Sequence, residues 1–138
     1  MKLTYDDRMA VAGHRGDCYN YYENTMTAFE MAYKSGADMI ETDVRLTSDG
    51  VLVLMHDDTV NRTAHTNGRV AEMTFSEIST LNVGDSRCPE NVPRLEELMD
   101  WAQDKNVTLN IEIKEYYSEE NEERCIHCIE KIIELIEF

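Results

Sequence analysis

Glu41 and Asp43 stand two residues apart in the run from Ile40 to Asp57 (IETDVRLTSDGVLVLMHD), and His56-Asp57 closes the same run. Side chains at i and i+2 of a β-strand leave the same face of the pleat. Two carboxylates that close repel, so the pair persists only with a cation between them, a shared proton, or full solvation. Glu112 and Lys114 repeat the spacing in VTLNIEIKE, and a His14-Arg15 pair lies between Gly13 and Gly16. Carboxylates, histidines and cations of this kind suit metal binding and proton transfer.

The elements that must position these groups follow from periodicity. The run from Ile40 reads as two strands joined at Ser48-Asp49-Gly50, the Asp-Gly step being a strong turn signal. Ile40, Thr42, Val44 and Leu46 share one face; Glu41, Asp43 and Arg45 share the other. If Thr47 lies opposite Gly50, His56 falls across from Glu41 and joins the carboxylates. A one-residue slip puts it on the other face, and the turn sequence allows both. Upstream, Met9 to Ala12 reads as a strand entering the glycine-flanked loop, and Asn24 to Ser35 as a helix with Gly36 as its C-cap. Residues 57–92 read mostly as loop, with a capping box at Thr74 and Glu77 before Ile78 and Leu81. Pro93 is expected at the first position of an amphipathic helix carrying Leu95, Leu98, Met99 and Ala102 on one face. In the next strand, Val107, Leu109, Ile111 and Ile113 share one face and Asn110, Glu112 and Lys114 the other. A last helix from about Ser118 is expected to bury Ile126, Ile129, Ile132, Ile133 and Ile136. Two half-apolar, half-charged strands separated by helices imply a parallel sheet, with helices on its apolar face and a polar site on the other.

The 138 residues form a single expected domain, 1–138, large enough for a real core. Net charge is −15, from 28 acidic against 13 basic residues, which argues against nucleic acid or an anionic membrane as partner. An anionic substrate could bind only where a metal or local cations reverse that field. Asp6, Asp7 and Arg8 stand where a signal peptide needs its apolar core, and no run approaches transmembrane length. Four cysteines are too few for a disulfide scaffold, so a cytoplasmic location is expected.

The blocks His14-Arg15-Gly16, Glu23-Asn24-Thr25, Glu41-x-Asp43, Asp49-Gly50, His56-Asp57, Arg62-Thr63 and Ile111-Glu112-Ile113-Lys114 together resemble the glycerophosphodiester phosphodiesterase family. The resemblance runs from about Val11 to Lys114, with Tyr22 where members often carry proline before Glu-Asn-Thr. It implies a TIM-type (β/α)₈ barrel with its site at the C-terminal strand ends. It also implies that Glu41, Asp43 and Glu112 bind a divalent metal, Mg²⁺ or Ca²⁺. His14 and His56 would be the general acid/base pair, while Arg15 and Lys114 would contact the phosphate. The implied reaction is hydrolysis of a glycerophosphodiester to sn-glycerol 3-phosphate and an alcohol. Two other readings stay beside it: a non-catalytic homologue that binds phosphate or a partner, and a phospholipase D-like lyase. Full barrels need about 200 residues or more, so the sequence is expected to be an N-terminal half, truncated at its C-terminus. Open sheet edges would then favour self-association.

Other candidates carry plainer expectations. Asn24 is either the N-cap of the first helix, the preferred reading, or a site residue; Asn110 is expected as a buried structural hydrogen-bonder and His65 as a surface residue. Cys125-Ile126-His127-Cys128 imitates a metal motif but lies inside an acidic amphipathic helix, where a structural role is expected. The run of Glu119, Glu120, Glu122 and Glu123 reads as a solvated first turn.

Overall fold

The structure, a computed structural model, describes residues 9–137. The reading of Asp6, Asp7 and Arg8 lies outside the described residues. Strand β1 (Ala12–His14) precedes helix α1 (Met26–Lys34) and the long strand β2 (Met39–Leu46), from which the chain turns back as β3 (Leu52–Leu54). Short helices α2 (Asn61–Ala64) and α3 (Phe75–Ile78) follow, then α4 (Leu95–Lys105), β4 (Thr108–Ile113) and α5 (Glu122–Glu137).

β2 organises the sheet. It pairs in parallel with β1 at Ala12↔Met39 to His14↔Glu41, and with β4 at Met39↔Thr108 to Val44↔Ile113. β3 is antiparallel to it, from Val44↔Leu54 to Leu46↔Leu52. Met39 to Glu41 bond both β1 and β4, and Val44 bonds both β3 and β4. β1 and β3 therefore share one edge of β2, and β4 holds the other.

The apolar face behaves as its alternation dictates. Ile40, Val44 and Leu46 of β2 and Leu52 and Leu54 of β3 pack with Phe29 and Ala32 of α1, Leu95 and Leu98 of α4, and Cys128 and Ile132 of α5. Fully burying a side chain such as Phe29 or Leu98 stabilises by roughly 1.5–3 kcal/mol. A smaller cluster of Val53, Met55, Val60, Val70, Ile78, Val83 and Val92 gives the 57–92 segment its own core. The stretch expected as loop is thus an organised excursion, held by the predicted capping box at Thr74 and Glu77.

Several expected boundaries move. The first strand begins at Ala12 and runs through His14, so His14 closes a strand instead of opening a loop. The N-cap of α1 is Thr25, whose hydroxyl accepts from the Ala28 N–H, and not Asn24. Its C-cap is Ser35, with Gly36 following at φ +88. Pro93 lies outside α4: Arg94 is the N-cap, and the Pro93 carbonyl accepts from the Leu54 N–H. α5 starts at Glu122, four residues after Ser118, because Asn121 ties down that turn through the Ser118 N–H.

The largest correction concerns the face of α5. Ile132 is buried, but Ile126, Ile129, Ile133 and Ile136 are 45–62% exposed. Cys125 and Cys128 occupy the core instead. Their thiols are raised in pKa chiefly by burial, Cys128 to about 11, which fits the structural role expected of them.

Candidate active site

Strand alternation places Glu41, Asp43 and Arg45 on one face of β2, and the parallel register sets Glu112 of β4 beside Asp43. One carboxylate oxygen from each of Glu41, Asp43 and Glu112 lies within 4.8 Å of the others. This face is not solvated: Asp43 is 0% exposed and Glu41 7%. Full solvation is therefore excluded as the reason the pair persists. Cations surround the acids. Lys114 Nζ lies 2.5 Å from Glu112 Oε1 and 3.3 Å from Asp43 Oδ1. Burial opposes the Lys114 charge, but the contacts with the Glu112 and Asp43 carboxylates outweigh it and hold its pKa above the ordinary lysine value. Arg15 Nε stands 3.1 Å from Asp43 Oδ2.

The balance is incomplete. Asp43 Oδ1 and Arg15 Nε are buried with ion-pair contacts, to Lys114 and to Asp43 Oδ2, but neither makes a well-formed hydrogen bond. A buried carboxylate oxygen short of hydrogen bonds, amid two further carboxylates, is a donor set that suits a hard divalent cation, since Mg²⁺ and Ca²⁺ take oxygen ligands. The residues present fit such an ion.

The loop after β1 is held in an unusual backbone. Arg15 and Asn24 both have positive φ, 56° and 55°, and the Asn24 N–H donates to the Arg15 carbonyl at 3.1 Å. Gly16, at φ +81, admits no side chain, because a Cβ there would meet the Ala28 backbone at 2.6 Å. This turn aims the Arg15 N–H at Glu41 Oε2, 2.9 Å away. Asn24 is 3% exposed; its amide donates to Asp43 Oδ2 at 2.9 Å and accepts from the Thr42 hydroxyl at 2.8 Å. It belongs to the carboxylate cluster. The sequence carried two signals for this: Asn tolerates the left-handed conformation, and Thr25 beside it caps as well.

The two histidines sit differently. His14 closes β1 opposite Glu41, with Nε2 3.9 Å from Glu41 Oε2 and most of its side chain exposed. His56 lies beyond the end of β3. The hairpin closes with Thr47 bonded to Val51, so the slipped register is the one adopted, and His56 does not face Glu41 across a ladder. It leaves the ladder instead and turns to Asp57, with Nδ1 2.8 Å from Asp57 Oδ1. The Arg62 hydrogen bond, with help from His56, pulls Asp57 down to about 2 against the effect of burial. A carboxylate only accepts, so His56 Nδ1 is the donor of this bond. Arg62 reaches Asp57 at 2.7 Å and Glu23 at 2.8 Å, and Glu23 also accepts from Arg15 at 3.1 Å. A continuous chain of charge thus joins His56 to the arginine beside the carboxylates. His56, Glu23, Asn24 and Thr63 line a small cleft.

Among residues outside the expected set, Arg45, Glu23, Asn24, Asp57 and Arg62 all enter this network. Asn110, expected to be buried, is exposed; His65 is exposed as expected.

Comparison with known proteins agrees with this geometry. A sequence profile described as the Glycerophosphoryl diester phosphodiesterase family matches residues 14–135. A glycerophosphodiester phosphodiesterase of Caldanaerobacter subterraneus subsp. tengcongensis is 45% identical over 108 residues, covering 75% of this chain and 44% of the relative. Among solved structures, a putative glycerophosphoryl diester phosphodiesterase from Silicibacter pomeroyi superposes with a TM-score of 0.81 at 27% identity, covering 93% of this chain and 52% of the other. A phosphodiesterase of Oleispira antarctica, solved in complex with the product sn-glycerol-3-phosphate, gives 0.79 at 28% identity, covering 91% and 52%. The chain spans under half the length of the curated relatives it matches. The solved relatives are TIM-type barrels, of which this open sheet reproduces a part and not a closed ring. With the profile matching nearly its whole length, the chain belongs to the glycerophosphoryl diester phosphodiesterase family.

Proposed function

We propose that this protein carries the site of a divalent-metal-dependent hydrolysis of glycerophosphodiesters, yielding sn-glycerol 3-phosphate and an alcohol. The observation that carries the reading is the convergence of Glu41, Asp43 and Glu112 within 4.8 Å, with the buried Asp43 Oδ1 making no well-formed hydrogen bond. The product-bound Oleispira antarctica relative supports the substrate class. Glu41, Asp43 and Glu112 would hold a divalent ion such as Mg²⁺ or Ca²⁺, which would supply neutralisation of phosphate charge and Lewis acidity. Arg15 offers a planar fork to phosphate oxygens and Lys114 a point charge. His56, its Nδ1 donated to Asp57, presents Nε2 as a proton acceptor, and His14 completes the acid/base pair. Each such transfer contributes ~10²–10⁴ in rate. The free cysteines Cys18, Cys88, Cys125 and Cys128 suit a cytoplasmic home. Among the described residues no helix is long and apolar enough to cross a membrane.

The test is turnover of glycerophosphocholine with Mg²⁺ or Ca²⁺, followed by ³¹P NMR. Removal of the metal by chelator should abolish it, and His14→Ala and His56→Ala should each lower it by at least ~10². Glu41→Gln should lose calorimetric metal binding. A cyclic phosphate as final product would point to the lyase. Since the chain spans under half the length of its relatives, a second reading is a non-catalytic binder of phosphate. Binding of glycerol 3-phosphate without turnover would favour it.

A further inference from the structure

Arg45 is the third charged residue on the site face of β2. It is 8% exposed, and no carboxylate pairs with it among the ion pairs of the described residues. Its guanidinium contacts main-chain oxygens instead. Nε and Nη2 donate to the His56 carbonyl at 3.0 and 2.8 Å, and Nη1 donates to the Lys114 carbonyl at 3.0 Å.

The placement of those two carbonyls gives the contacts their meaning. The β2–β3 ladder ends at Val44↔Leu54, with one further bond from the Met55 N–H to the Asp43 carbonyl. The β2–β4 ladder ends at Val44↔Ile113, with one further bond from the Lys114 N–H to the Val44 carbonyl. His56 and Lys114 are therefore the residues at which the chain departs from β2 on its two opposite edges. Their carbonyl oxygens have no strand to bond, and an unpaired buried carbonyl is costly. Arg45, rising from β2 between them, satisfies both through one rigid plane. A buried guanidinium without a counter-ion is itself unfavourable. Here it is retained where its fork spans an expected acid/base histidine and an expected phosphate-binding lysine.

We propose that Arg45 is a positioning residue, clamping the main chain at His56 and Lys114 so that the imidazole and the ammonium keep a fixed separation across β2. The proposal rests on the function proposed above for those two residues. It concerns neither metal binding nor direct contact with substrate.

The test uses the full chain with Arg45→Lys and Arg45→Gln. Lysine keeps the charge but lacks the planar fork that reaches two carbonyls. In ¹⁵N-histidine-labelled protein, the His56 Nδ1–H signal should be sharp in wild type. It should shift or broaden in both variants, with the other imidazole signals in place. Calorimetric Ca²⁺ affinity should stay within about threefold, since Arg45 touches no expected ligand. Turnover of glycerophosphocholine should fall about 10- to 100-fold in kcat with KM little changed, the scale of a small misplacement of reacting groups. Exposed Arg69→Lys serves as the neutral control. If the wild-type chain turns over no glycerophosphodiester, the proposed function fails while the His56 signal still decides the clamp. An unchanged His56 signal in both variants overturns the proposal. Loss of folding in both assigns Arg45 to stability alone and overturns it equally.

Discussion

Asp57 is held in its charged form by two neighbours. Its carboxylate accepts from Arg62 at 2.7 and 3.1 Å and from His56 at 2.8 Å. Its pKa falls to about 2, first through the Arg62 hydrogen bond. A folded-state pKa below the unfolded value of ~3.9 adds stability that is present above that pH. That stability is lost as pH falls toward about 2. The side chain is 26% exposed, so screening reduces the linkage to about 1–2 kcal/mol. Asp57→Asn should therefore lower urea-unfolding stability by about that amount at neutral pH. The gap between the two proteins should narrow from pH 5 to pH 3; a constant gap would show that the Arg62 pair does not hold Asp57. The site was legible at this scale wherever a charge recurred on a strand face, as with Glu41, Asp43, Glu112 and Lys114. It was only partly legible for Asn24, whose cap reading was preferred, and not legible for Arg45. Their partners are a carboxylate 19 residues away and a carbonyl 69 residues away, distances along the chain that no local pattern encodes.

At the level of elements, alternation foretold β2 and β4, because a strand with one charged and one apolar face has a single way to sit against helices. The same logic misled for α5. Five isoleucines at helical spacing form an apolar stripe, but helix orientation is set by what the neighbours leave open. β2, α1 and α4 leave room for the small side chains of Cys125 and Cys128 beside Ile132. The hairpin register was likewise decided by tertiary contacts: Asp49 accepts from Thr47 and from the Phe75 N–H, which fixes the turn from outside. The α5 assignment is open to a direct test. Cys128→Ser places a hydroxyl in a fully buried, apolar site and should destabilise by about 1–3 kcal/mol. Ile129→Thr, on the exposed side, should stay within about 0.5 kcal/mol. Thiol titration under native conditions should find Cys18 and Cys88 fast and the α5 pair slow. The opposite ranking of the two substitutions would mean that α5 packs through its isoleucine stripe.

At the scale of the molecule, two of the surfaces that lack partners among the described residues bear on assembly. β4 bonds only β2, so its outer edge presents free main-chain groups. Ile126, Ile129, Ile133 and Ile136 form an exposed apolar stripe on α5. Unpaired edges seek strands, and contiguous apolar surface seeks cover. A net charge of −15 opposes association between copies, and Asn110 and Glu112 set polar groups along the open strand. Charge repulsion between surfaces is screened within about 8 Å at physiological salt, whereas the apolar attraction is not weakened by it. The two terms therefore separate by ionic strength. We expect the 138-residue chain to be monomeric at low salt and to self-associate as salt rises. Ile129→Glu and Ile133→Glu should keep it monomeric throughout, while a charge placed at exposed His65 should not. Light scattering across a salt series at micromolar concentration measures this. A chain that stays monomeric at high salt would show that neither the β4 edge nor the α5 stripe is adhesive, and that the fold tolerates both surfaces bare.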